Sequence, residues 1–167
     1  MQITMYDTLI PTANRMLGSL SAILDKAAAF AEQKKIEPEV LLNARLAPDM
    51  FGLTKQVQIA CDLAVRGAMR LSAGEIPTFE DNETSFAQLK ARIANALTVV
   101  NSANAAQFNG SEDRDVTLKM RSGEMHFKGL DFLRDFVLPN LYFHITTAYA
   151  ILRHNGVELG KKDFLGA

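Results

Sequence analysis

Four stretches of the chain repeat apolar side chains at three- and four-residue steps. Between about Thr4 and Lys34 the repeating residues are Leu9, Ala13, Met16, Leu17, Leu20, Ile23, Leu24, Ala27 and Ala31. They mark one face of a long helix. Thr4 followed by Asp7 is a capped start, and Pro11 either opens the helix proper or kinks its first turns. Pro38 is placed to begin a short helix through about Asn43. The second long helix carries Met50, Leu53, Val57, Ala60, Ala64, Ala68 and Leu71, a heptad-like seam, with Gly74 as its stop. The third begins near Asn82 or Thr84 and repeats Phe86, Leu89, Ile93, Leu97 and Val100. The last runs from about Leu130 to Asn155. It is apolar on nearly all sides, which predicts a central, buried helix. Pro139 should bend it, and Asn155-Gly156 should end it.

One segment changes period from 3.6 to 2. Val116, Leu118 and Met120 alternate with polar residues, and so do Met125 and Phe127 after Ser122-Gly123. With Ser122 and Gly123 as the two turn residues, Met120 faces Met125 and Leu118 faces Phe127, so the apolar side chains share a face. A lone hairpin is marginal in water and must pack on the helices. The pattern predicts an all-α fold: a four-helix bundle with a small β-hairpin inserted before the last helix, residues 1–167 forming one domain.

Bulk composition narrows the partners. With 167 residues the chain can bury roughly 70% of its extended surface, so neither disulfide nor metal is required to fold it. Eighteen basic and 19 acidic residues leave a net charge of −1, which argues against nucleic acid. The single cysteine, Cys61, excludes disulfide scaffolds and Cys-rich zinc sites. No membrane-length apolar run or signal-like start is present, and a cytoplasmic location is expected.

Candidate chemistry sits on the last helix. Leu133, Val137, Asn140, His144, Ala148 and Ile151 share one face, which sets Asn140 and His144 on adjacent turns inside an apolar stripe. Unpaired polar groups there would cost roughly 1–3 kcal/mol each, so partners are expected from a facing helix. Gln58 and Asp62, also four apart, flank the seam of the second helix. Together these four residues form the candidate ligand-binding cluster. It is read either as a core histidine hydrogen-bonded to fix register or as a metal or small-molecule site. His154 stands about 15 Å from His144 along the axis and reads as a dipole cap, and His126 falls on the polar face of the hairpin. Cys61 reads as a small core residue. Arg45 and Asp49 either bind an anion or cap the second helix and pair with each other.

The order of elements resembles the DinB/YfiT-like superfamily of metalloenzyme-type four-helix bundles. So does the ending Tyr149-Ala150-Ile151-Leu152-Arg153-His154-Asn155-Gly156. The stretches Asn43-Ala44-Arg45-Leu46-Ala47-Pro48-Asp49-Met50 and Pro139-Asn140-Leu141-Tyr142-Phe143-His144 look typical of a bacterial branch of unknown function. The resemblance covers essentially the whole chain. Metal-binding members use three histidines, one on the second helix and two on the last, to hold nickel or zinc. Those positions look like Gln58, Asn140 and His144 here, so His144 alone retains the ligand type and no metal site is assigned. The resemblance implies a homodimer. The first functional reading is a bundle without the metal that binds a small ligand or a partner protein, with Asn140, His144 and Gln58 lining a pocket. The alternatives are a metal-dependent hydrolase or thiol transferase with a degenerate site, or a purely structural or regulatory homodimer.

Overall fold

The computed structural model describes residues 3–120 and 123–166. Helix α1 spans Met5–Lys34 and starts on a reciprocal cap: Asp7 N–H donates to Thr4 Oγ1, and Thr4 N–H donates to Asp7 Oδ2, both at 3.1 Å. Pro11 lies inside α1, so it does not open the helix. The short α2 is Pro38–Leu42 and α3 is Leu53–Ser72. Met50, expected in the α3 seam, instead lies in the preceding loop, half-buried. The expected cap pair, Arg45 and Asp49, is exposed in that loop, and Gly52 holds the N-cap position. Ala73, with φ 56°, is the left-handed residue that ends α3, and the N–H of Gly74 donates to the Met69 carbonyl at 2.8 Å. Helix α4 is Phe86–Ser102, capped by Ser85.

Helix α3 packs against α4 and α6 (Leu138–His154), and α1 closes the bundle against α4. The predicted stripes form the core: Leu17, Leu20, Leu53, Ala64, Leu89 and Ile145 are among the fully buried residues. Small residues on α3 set its approach to the last helix. A Cβ on Gly67 would lie 2.7 Å from Val137 Cγ1, so only hydrogen fits there. The last helix is not buried all round, as its composition suggested. Tyr142 and Phe143 are exposed on α6.

The hairpin comprises β1 (Asp115–Met120) and β2 (Gly123–Lys128). Its register differs by two residues from the expected one: Leu118 pairs with Met125, Val116 with Phe127 and Met120 with Gly123. An even shift leaves the apolar face unchanged. The expected turn residue Ser122 lies outside the described residues, and Gly123 belongs to β2. Val116 and Leu118 are buried against the bundle, while Met120 and Met125 at the tip are exposed. Past the hairpin the chain turns through a single helical turn, α5 (Gly129–Asp131), where a Cβ on Gly129 would meet the Ser111 carbonyl at 1.8 Å.

Between α5 and α6 lies a π-helical stretch, Phe132–Val137. Pro139 follows it, within the first two positions of α6. A proline has no N–H to continue an α ladder, and wide turns are one response to an interrupted ladder. The Asn140 side chain adds a hydrogen bond within this stretch, its Nδ2 donating to the Phe136 carbonyl at 2.6 Å. The stretch brings Phe132 and Phe136 into a near-parallel stack, 5.7 Å between centroids, against which Phe127 of β2 packs. Where the sequence suggests a bend at Pro139, the chain passes from the π segment into α6, and that segment seats the hairpin.

Candidate functional site

His144 does find a partner on the facing helix, and it is Gln56. His144 Nδ1 and Gln56 Oε1 stand 2.7 Å apart, and Gln56 Nε2 donates to the Phe51 carbonyl at 3.0 Å. The second bond orients the amide, so its oxygen faces the ring and Nδ1–H must donate. Nε2 is then the acceptor nitrogen of the neutral imidazole, and it takes no hydrogen bond among the described residues. Burial holds the His144 pKa below its ordinary value of 6.5. The ring also meets Phe143 edge-on, 5.2 Å between centroids.

Gln58 points elsewhere. Residues two apart on a helix diverge by about 200°, and Gln58 Nε2 donates to Glu83 Oε2 at 2.8 Å. Asp62 joins Gln58 in this second network, whose centre is Arg92 of α4. The Arg92 side chain is 2% exposed and contacts Asp62 at 2.8 Å, Asp81 at 3.0 Å and Glu83 at 2.9 Å. It also donates to the Glu80 carbonyl and stacks over Phe79, 5.3 Å from the ring centroid. Its Nε is buried without a partner among the described residues. The four expected residues are thus divided among His144–Gln56, Asn140 on its own helix, and Gln58 and Asp62 around Arg92. Cys61 is fully buried, and burial pushes its thiol up to about 12, far from a reactive thiolate. His126 and His154 are exposed, His126 with its ring 3.1 Å from Thr117 Oγ1.

The donor chemistry does not fit the nickel or zinc of the superfamily. His144 is a single imidazole, its neighbour Gln56 an amide, and the Asn140 and Gln58 amides are engaged with Phe136 and Glu83. Among the described residues no group of three or more His, Cys, Asp or Glu side chains is arranged to hold a metal ion, and the three carboxylates that do converge are occupied by Arg92.

A concave site does form one turn further along α3. A cavity of ≈ 240 Å³ opens between α3, the hairpin and the π stretch. Its floor and walls are apolar, from Ile59, Leu63, Leu118, Phe132, Phe136 and Val137, and Asp62, Arg66, Arg70 and Lys119 converge on it. Asp62 is the one member of the expected cluster that lines this groove. Arg66 and Arg70 were not singled out from the sequence. The available signal was the i, i+4, i+8 spacing of Asp62, Arg66 and Arg70, which sets three charges on one side of α3.

No helix among the described residues is long and apolar enough to cross a membrane. A search of curated proteins returns no match. Among solved structures, the crystal structure of a DinB family member protein from Shewanella denitrificans superposes with a TM-score of 0.91 at 48% identity. The match covers 97% of this chain and 92% of that one. Residues 5–165 match the family model described as Domain of unknown function (DUF1993). The chain belongs to that family and has a DinB-like fold.

Proposed function

We propose that this protein binds a small organic ligand in the groove between α3, the hairpin and the π-helical stretch. The observation that carries this is the groove's construction: an apolar wall with convergent polar side chains, the usual make-up of a small-molecule site. The π stretch supports it, since such segments recur at functional sites and this one supplies Phe132, Phe136 and Val137 to the wall. Asp62 lines the groove, His144 ties α6 to α3 through Gln56, Gln58 ties α3 to Glu83, and Asn140 bonds within the stretch that leads into α6. The expected homodimer belongs to the same proposal, and exposed Tyr142 and Phe143 on α6 are apolar surface that pairing would bury.

The test is a thermal-shift screen of small molecules, with hits retested on Leu63→Trp, which fills the groove. Ligands that stabilise the parent chain should lose their effect on this variant. Hits that stabilise both equally would place binding elsewhere and overturn the proposal.

A further inference from the structure

Charge in the groove is unbalanced. Asp62 is its one lining carboxylate, and both oxygens are already committed: Oδ1 to buried Arg92 at 2.8 Å, Oδ2 to Arg66 at 3.3 Å. Arg70, one turn beyond Arg66, is half-buried, and its guanidinium makes neither an ion pair nor a hydrogen bond among the described residues. Burial and the neighbouring Arg66 charge both disfavour the protonated form of Arg70, and its pKa is lowered. A guanidinium nevertheless stays charged at neutral pH. A partly desolvated cation next to a like charge calls for an anion to satisfy it. Facing it are the Phe132–Phe136 stack and Leu118, which offer nothing to a polar solute. We infer that the groove recognises a small amphipathic carboxylate, its anionic group held by Arg70 with Arg66 and its compact apolar body laid on Phe132, Phe136 and Leu118. The inference rests on the groove being the ligand site. Planar guanidinium groups bind carboxylates in paired hydrogen bonds, which gives the anionic end orientation as well as charge. The cavity volume limits the apolar body to about one ring or a short alkyl chain.

The test is calorimetric titration of the full chain with benzoate and hexanoate, against benzyl alcohol as a neutral counterpart and inorganic phosphate as an anion without an apolar body. The carboxylates should bind saturably and more tightly than either control. Arg70→Gln should weaken them about tenfold or more, with partial recovery in Arg70→Lys, and should leave benzyl alcohol unaffected. Benzyl alcohol binding as tightly as benzoate would overturn the anion inference and leave the groove proposal standing. So would phosphate binding as tightly, or benzoate indifferent to Arg70→Gln. Failure of every probe to bind would overturn both. Circular dichroism checks that Arg70→Gln folds. If it does not, the Arg70→Lys comparison and the charged–neutral pair still decide.

Discussion

His144 is held by one strong hydrogen bond and little else, which makes its energetics simple to test. Gln56→Leu strands the Nδ1–H of a half-buried ring and the Phe51 carbonyl, and should cost about 1–3 kcal/mol. The double variant Gln56→Leu with His144→Leu removes both partners and should recover most of that loss. Equilibrium urea unfolding measures both. The pH dependence follows from the lowered pKa. Between the ordinary value of 6.5 and the depressed folded value, the unfolded chain binds more protons than the folded one, so stability falls as pH falls through that interval and is complete above it. In His144→Gln this slope should vanish, and an NMR titration of the ring should give a midpoint below 6.5. Which glutamine served His144 was not legible from the sequence. Gln56 and Gln58 both flank the seam, and only the rotation of α3 about its axis decides between them.

At the scale of elements, two close contacts set the geometry around the groove. Gly67→Ala should gain up to about 1 kcal/mol of helix propensity. The added methyl would meet Val137 at 2.7 Å, and a β-branched side chain has little freedom to yield. Overpacking of about 1–3 kcal/mol should win, giving a lower melting temperature, relieved by Val137→Ala. The second contact is the clamp at Arg92, which ties α3 and α4 to the connection carrying Asp81 and Glu83. Arg92→Leu leaves Glu83 without a cation and Asp62 and Asp81 with only Arg66 and Lys55, and should cost about 3 kcal/mol, the low end for such pairs because those two partners remain and Asp81 is 42% exposed. The Lys55 hydrogen bond, with help from Arg92, holds Asp81 below the usual carboxylate range. At Glu83 burial opposes the same shift and is outweighed by Arg92 and Gln58. Both therefore stabilise the fold above the ordinary carboxylate pKa of roughly 4, and the contribution is lost as pH falls through their depressed values. Acid unfolding of Arg92→Leu should be correspondingly shallower. The helices and hairpin were legible because their side-chain periods are distinct. The π stretch was not, because no side-chain period announces it. Buried Arg92 was hidden because a charge within a stripe reads as solvent-facing, although Leu89, Arg92, Ile93 and Ala96 share one face of α4.

For the whole molecule, the bundle architecture and the DinB likeness were readable across the chain. The position of a site was not. Polar residues in an apolar stripe drew attention to Asn140 and His144, whereas the concavity arises from a hairpin docking beside a π segment, a tertiary event. The donor set around His144 leads to a direct expectation. Protein purified without chelator or affinity tag should carry sub-stoichiometric nickel and zinc by elemental analysis, and neither ion should raise its melting temperature. Stoichiometric metal with thermal stabilisation would require a donor set other than the one described. The central claim is the location and charge preference of the groove, and methyl-resolved NMR during a benzoate titration tests it most directly. Saturable shifts confined to the methyls of the groove residues Ile59, Leu63, Leu118, Met120 and Val137, with the midpoint moved to about tenfold higher benzoate or more in Arg70→Gln, are predicted. Shifts centred instead on Leu141 and Ile145 beside His144, or none at saturating benzoate, would contradict it.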